Sequence, residues 1–375
     1  MKRTVYIEDG GACCAAGERI EAIWHHLASG TRALSDLPCP AFAGWPWPQV
    51  FTMEEPSAAE LNVDRKLLRT MEKQAKLALR GAGLALRDSG LFGLHEKSRI
   101  GLYLGTPTVD EPVPTWSSLE ALHEGGQEAS LSEVFLRETP PFTGLSQLNS
   151  SACAHIAGTF GMTGAMGAYS PFADAGLQAV IEAALSITSG ENDVALAGGV
   201  SPKINPMLVL QYDHFGWTAD EERIPGEGAA FILLDGSGKG KRRIRLSGYA
   251  RGFSTGGQGQ RGVLQRAFDM AGISAGDLGW ILTCDGGDHG VLQSLYGGAS
   301  LPLGGCQDAT GALGPAQPIL NLLLAQHGMR ENKRLLRGQS GNPHSEQDAC
   351  INHALITAAG PEGQYVAVIL STERT

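Results

Sequence analysis

Seven cysteines and ten histidines are the side chains on which covalent chemistry in this chain would turn. A thiolate that attacks an acyl group needs an exposed turn and a base within reach. Cys153, in Ser151-Ala-Cys153-Ala, has the small neighbours of a nucleophile, yet Leu148, Ala152, Ile156, Ala157 and Phe160 recur around it as an apolar helix face. It reads as a core cysteine. Cys284 closes an apolar run, and His289 follows only beyond a turn. His25 and His26 are adjacent, so they point to different faces of one helix and make a poor metal pair. No metal motif, no ordered Ser-His-Asp set and no G-x-G-x-x-G after a strand is present, and the glycines from Gly252 to Gly262 lack a P-loop lysine. The reading is therefore no metal and no cofactor.

One stretch has the shape that presents a nucleophile. From Gly161 to Val200 the chain reads as a short strand, a sharp turn, a helix and a second strand. Met166 to Tyr169 is small and apolar, and Ser170-Pro171 turns the chain. From Asp174 the residues Ala175, Ala179, Val180, Ala183, Ala184 and Ile187 keep helical spacing, Asp174 supplies a carboxylate at the helix start, and Ser189-Gly190 stops it. Val194-Ala-Leu-Ala-Gly-Gly is then a buried strand. A helix start lowers a thiol's pKa, so a nucleophile belongs there. Ser170 has no identified base, and Asp174 is explained as the start of the helix.

The same stretch resembles the β-ketoacyl synthases of the thiolase superfamily. Their run F-G-x-x-G-x-x-x-x-V-S-T-A-C-A-S-G lies over Phe160 to Gly176 without a gap, and S-G-x-x-D-x-x-x-A-G-G falls on Ser189, Gly190, Asp193, Ala197, Gly198 and Gly199. In that register the nucleophilic cysteine is Ala173, whose methyl cannot carry an acyl chain. The two histidine motifs fail as well. A-H-G-T-x-T puts Cys284 at the first histidine, and K-S-x-T-G-H puts Gln307 at the lysine and Ala312 at the second histidine, keeping Thr310-Gly311. The F-G-F-G-G-x-N gate falls on Glu346 to Asn352 and retains only the asparagine.

The remaining elements supply the frame. Glu18 to Leu27 is an amphipathic helix, Asp64 to Arg87 the longest clear helix, and Arg99 to Thr106 a buried strand. Leu37 to Pro48 is a loop packed by its own aromatics, and after Val200 the segment to Arg223 holds an irregular loop and the apolar run Met207 to Gln211. Pro225 to Asp235 resembles the family's G-E-G-A strand. Gly236 to Arg243 is a glycine-lysine connector, which divides the chain into an N-terminal half, 1–240, and a C-terminal half, 241–375. The second half reads as strand Ile244 to Ala250, helix Gly262 to Ala271, strand Trp280 to Cys284, helix Leu313 to His327, a strand near Leu335, helix Glu346 to Ala358 and strand Tyr365 to Ser371. The resemblance implies an α/β, thiolase-like five-layered αβαβα fold of two similar halves.

With 18% charged residues and 51 glycines, the chain is built for a large interior and many tight turns. Its net charge of -10 argues against nucleic acid or anionic membrane as a partner. No run approaches the ~18–20 apolar residues of a membrane span. An odd number of cysteines without C-x-x-C, and no signal-peptide pattern after Met1-Lys-Arg, point to the cytoplasm. The resemblance implies a subunit without catalysis of its own: a chain-length-factor-like partner in a heterodimer with an active β-ketoacyl synthase, possessing the stripped motifs of aryl-polyene subunits, with acyl carrier protein met through that partner. It places the interface strand at Met166, Gly167, Ala168 and Tyr169, and tunnel-floor residues at Leu122, Phe135, Phe142 and Leu145. A residual malonyl-carrier decarboxylase or acyltransferase, and a homodimeric acyl-binding scaffold, stay open as alternatives.

Overall fold

Short runs of branched and small apolar residues, bounded by glycine and turn residues, become strands, and the runs with apolar residues at helical spacing become helices. The computed structural model describes residues 3–36, 46–87, 89–108, 121–124, 130–139, 144, 148, 150–220, 223–236, 243–254, 257–284, 289–297, 301–336 and 344–373. The principal elements begin with β1 (Tyr6–Cys14), α1 (Ile20–Ser29), α2 (Lys73–Arg87), β2 (Ile100–Gly105) and α3 (Leu131–Glu138). Then come α4 (Ser151–Phe160), β3 (Met166–Tyr169), α5 (Ala173–Ser189), β4 (Val194–Val200), α6 (Pro206–His214) and β5 (Gly228–Asp235). The chain continues with β6 (Arg243–Phe253), α7 (Gly257–Ala271), β7 (Trp280–Cys284), α8 (His289–Leu295), β8 (Leu303–Gly304), α9 (Ala316–Glu331), β9 (His353–Ala359) and β10 (Gln364–Glu373).

The strands hydrogen-bond in the order β8-β7-β9-β10-β6-β1-β5-β4-β2-β3. At its middle, β6 meets β1 through one registered pair, Arg245 opposite Tyr6, so the strand set works as two five-stranded sheets joined at a seam. Helix α5 packs on β2 and β4 of one sheet and on β9 and β10 of the other, and α9 likewise touches both. Helices α2 and α4 cover the outer face of the first sheet, and α7 covers β6 and β10 of the second. The result is the five-layered αβαβα arrangement. The first sheet is built from residues up to Asp235 and the second from residues from Arg243 onward; 237–242 between them lie outside the described residues.

The two central helices are buried over most of their surface, as helices packed between sheets must be. In α9, 13 of 16 residues are buried, among them Gln317, Asn321 and Gln326, each of which spends its amide on a hydrogen bond inside the protein. Glycine lets these helices approach the backbone around them. A Cβ at Gly176 in α5, or at Gly199 in β4, would collide with the carbonyl oxygen of Pro315, the residue that opens α9. These are two of the glycines in the motif register noted above.

Two segments depart from their expected form, and the apolar run after Val200 takes up a helix. The helix expected from Asp64 to Arg87 is two: Asp64 caps a short one, Arg65–Leu68, by accepting from the amides of Lys66 and Leu67, and α2 starts only at Lys73. The Thr70 hydroxyl donates to the Leu67 carbonyl at 2.7 Å and competes with continuation of the helix. The segment from Glu346 to Ala358 is not a helix but the edge of a two-stranded ribbon, Ser345–Asp348, followed by β9. Between β7 and β10, β9 is buried on both faces, and such a strand shows a continuous apolar run rather than alternation. Met207 to Gln211 belongs to α6, whose start is fixed by Pro206 and by the Asn205 side chain accepting from the Leu208 amide at 3.0 Å.

The glycine contacts are open to a direct test. Gly176→Ala should destabilise the protein by about 1–3 kcal/mol or more, because backbone, not a flexible side chain, stands in the way. Gly158→Ala, on the open face of α4, should instead stabilise it by roughly 0.5–1 kcal/mol. Urea unfolding of the two variants measures the contrast; equal effects would remove the close approach as the reason for glycine.

Candidate functional site

The turn between β3 and α5 is made by a cis Ser170-Pro171 peptide and by Phe172, extended at the N-cap. Ala173 is therefore the first residue of α5, 1% exposed, at the positive end of a 17-residue helix. Its surroundings form a cavity of about 30 Å³, also lined by Ala312, Leu313 and Gln317 from the turn that enters α9. Ala173 and Ala312, from different halves of the chain, thus meet at one small space with room for about two waters.

The rest of the wall is aromatic. Phe172 packs edge-on against Phe215 and Trp217, with ring centroids 5.5 and 6.0 Å apart, and the Arg223 guanidinium lies 4.1 Å from the Trp217 ring centre. Phe172, Trp217 and Arg223 line the cavity together with Tyr212, whose ring packs edge-on to Trp217 at 5.3 Å. No histidine or cysteine lines it among the described residues. Sequence reading did not single out Trp217 or Arg223; both sit in an irregular segment with no periodic signal.

The turn carrying Ala312 is held by its backbone and by Thr310. The Thr310 hydroxyl donates to the Cys306 carbonyl at 2.9 Å, Gly311 takes a left-handed φ of 74°, and the Ala312 amide donates to the Ile224 carbonyl at 2.8 Å. The Gly226 amide in turn donates to the Ala312 carbonyl at 3.1 Å. Next to Gly226, Glu227 is buried and forms an ion pair with Lys73 of α2 at 2.6 Å while accepting from the Met53 amide. So the Thr-Gly turn is a backbone fitting that needs no histidine to persist. Gln307 starts the four-residue helix ahead of it, half-buried and outside the cavity wall.

Cys284 ends β7, buried, and its Sγ receives the Asn321 Nδ2 donor at 3.1 Å. His289 stands exposed at the start of α8, away from any role as a replacement imidazole at a buried site. His344, buried, pairs through Nε2 with Asp308 at 3.2 Å and is absent from the cavity wall. Cys153 lies in α4 as a core residue, its Sγ 3.8 Å from the Gly167 carbonyl. Burial pushes the thiols of Cys13, Cys14 and Cys153 up to about 12, and Cys306 upward too, so none is a thiolate near neutral pH.

The interface and tunnel candidates are placed as follows. β3 is the outermost strand of the first sheet, bonded on one side to β2. Met166 and Ala168 are exposed while Gly167 and Tyr169 are half-buried. The amides of Leu102 and Thr106 donate to the carbonyls of Ala165 and Tyr169, and the alternation of a parallel ladder then turns the Gly167 amide toward β2 and those of Met166 and Ala168 toward the open edge. Leu122 is half-buried in a helical stretch at 121–124, and Phe135 is 41% exposed on α3 between the exposed Leu131 and Leu136. Phe142 and Leu145 lie outside the described residues. Among the described residues there is no group of acidic, histidine or cysteine side chains able to hold a metal, and no helix long and apolar enough to cross a membrane.

Comparison with known proteins gives a consistent set of relatives. The family profile described as "Beta-ketoacyl synthase, N-terminal domain" matches residues 2–236. Nodulation protein E of Rhizobium meliloti (strain 1021) is 25% identical over 255 residues, covering 63% of this chain and 58% of that protein, so the match spans a little over half the length of that relative. A β-ketoacyl synthase from Burkholderia phymatum STM815 superposes over 100% of both chains with a TM-score of 0.81 at 18% identity. The ishigamide ketosynthase/chain length factor does so over 100% of both chains with a TM-score of 0.81 at 17% identity. Both structures share the fold.

Buried and raised thiols should be silent toward a mild alkylating agent in the folded protein. Iodoacetamide followed by peptide mapping should label exposed Cys350 within minutes and leave Cys153 and Cys306 unmodified until denaturant is added. Rapid native-state labelling of Cys153 would restore it as a reactive thiol.

Proposed function

The chain belongs to the β-ketoacyl synthase family, and we propose that it serves there as a non-catalytic, chain-length-factor-like subunit that pairs with an active β-ketoacyl synthase in polyketide or fatty-acid-type chain elongation. The observation that carries this reading is the meeting of Ala173 and Ala312 across a cavity of about 30 Å³. The family's chemistry needs a thiol to hold the acyl chain and imidazoles to stabilise the negative charge that develops. Two methyl groups supply neither. Cys284, at the other histidine position, is a buried thiol beside an asparagine amide. An acyl chain attached at position 173 would also have to displace the aromatic wall of Phe172, Tyr212 and Trp217.

The partner is an active β-ketoacyl synthase, which would bring the acyl carrier protein, and the aryl-polyene type of system is the finer assignment supported by the stripped motifs. The two halves, 1–240 and 241–375, act as one unit in this reading. Leu122, Phe135, Phe142 and Leu145 are assigned to the region that would limit chain length from the far side of the partner's tunnel. The open edge of β3 favours pairing of this strand across a two-fold axis: an unpaired apolar edge invites another strand, and flanking helices would extend the contact to the roughly 2,000 Å² or more of an obligate interface.

Two experiments test this. The purified chain should release no carbon dioxide from malonyl-carrier protein and take up no acyl group, and Ala173→Cys should not restore condensation, since positions 284 and 312 still lack imidazoles; turnover by the wild type alone would reject the non-catalytic reading. For assembly, co-expression with a candidate ketosynthase and native mass spectrometry should give a 1:1 heterodimer. Ala168→Pro, which removes an outward donor, should abolish it while the monomer's thermal unfolding barely moves. Gly167→Pro removes an inward donor and should lower monomer stability first. A heterodimer unaffected by Ala168→Pro would place the interface elsewhere, and a stable homodimer that takes no partner would favour the scaffold alternative.

A further inference from the structure

A second cavity, of about 190 Å³, lies where β1, α1, α2 and α9 converge. It is at the opposite end of α9 from the Ala173–Ala312 space: Arg330, on its wall, is 14 residues beyond Ala316, about 21 Å along the helix. The volume is many times the roughly 10–15 Å³ that one water needs and below the roughly 300–1,000 Å³ of pockets for drug-sized molecules. It suits a small ligand.

Its charge pattern says which kind. Arg19, Arg87 and Arg330 come from three different elements and line this one space. Glu18, also on the wall, is already engaged by Arg80, whose Nε and Nη2 donate to its two oxygens at 3.0 and 2.7 Å. Glu21 is the other acidic group on the wall, beside the guanidinium groups of Arg19 and Arg87. Neither Arg19 nor Arg87 forms a side-chain hydrogen bond or ion pair with another described residue, while Arg330 donates to the Glu8 carbonyl at 2.9 Å. The chain as a whole carries a net charge of -10, so this basic cluster runs against the average field of the protein. Arg19 is, moreover, the N-cap of the ten-residue α1 and provides no side-chain cap, so the first amides of that helix face the same wall with their positive end.

We propose that this cavity is a binding site for a small oxyanion, a phosphate or carboxylate group held by Arg19, Arg87 and Arg330. Planar guanidinium forks match both headgroups, and the buried Gln326 and half-buried His327 complete a polar floor. Through α9 the site has a rigid connection to the Ala312 turn, so occupancy is positioned to stabilise the central layer.

The test is isothermal titration of the full chain with inorganic phosphate and, separately, with malonate, each against sodium chloride of equal ionic strength. At least one anion should bind saturably at one site, and which one does so identifies the headgroup. Arg19→Gln combined with Arg87→Gln should weaken binding by about tenfold or more, as expected for lost charge-assisted hydrogen bonds. Both side chains are exposed, so the variant should keep its fold by circular dichroism; Arg330→Gln alone provides an independent second variant. Arg251→Gln, which removes a remote arginine paired with Glu182, should leave affinity unchanged. Absence of saturable binding by either anion, or equal affinity in the wild type and the arginine variants, overturns the proposal.

Discussion

The contact on which the molecule depends is the seating of the Pro315 carbonyl between Gly176 and Gly199. It brings the start of α9 against the first turns of α5 and against β4 at backbone distance, closer than any side chain permits. Gly105 adds to it, since a Cβ there would meet the Gly176 amide. Once these backbones are locked, the two central helices lie between the sheets, and the residues at their entrances face each other by necessity. The Ala173–Ala312 cavity is a consequence of that packing rather than a feature with supports of its own.

This separation explains how the family's frame can outlast its chemistry. Gly176, Gly198 and Gly199 are needed because other atoms occupy the place of a Cβ, and Thr310-Gly311 is needed because the hydroxyl and the left-handed φ close a turn. None of these depends on a reacting group. A thiolate or an imidazole in the cavity would instead carry a desolvation cost that only hydrogen-bond partners or substrate could offset. Alanine at both places lets the region pack as core, and the aromatic residues around it complete the interior.

The cysteines follow the same physics. Cys13, Cys14, Cys153 and Cys306 are buried in apolar layers that favour the neutral thiol, so they contribute volume and not reactivity. Cys153 shows how local sequence misleads: small neighbours suggest a nucleophile, but its helix turns that side chain toward the outer core of the first sheet. The open edge of β3 is different in kind. There, among the described residues, no further strand pairs with the outward groups, and an unpaired edge of this kind is a template for another strand.

The sequence by itself determined the elbow, α5 with its glycine stop, the buried strands on either side and the core placement of Cys153. All of these are local: a periodicity, a cap, a turn or an ungapped motif is complete within some forty residues. It misjudged β9, where burial on both faces erases the alternation that marks a strand, and it joined two helices across Thr70, where a single hydroxyl redirects the backbone. Only the tertiary structure decided that Ala173 and Ala312 share one cavity, that Trp217 and Arg223 fill its wall, that the Gly167 amide points inward while that of Ala168 points out, and that three arginines from α1, α2 and α9 surround a second cavity. These facts arise from the distance between residues far apart along the chain. That distance is set by how two sheets close around two helices, a long-range packing outcome that no local pattern of residue types encodes.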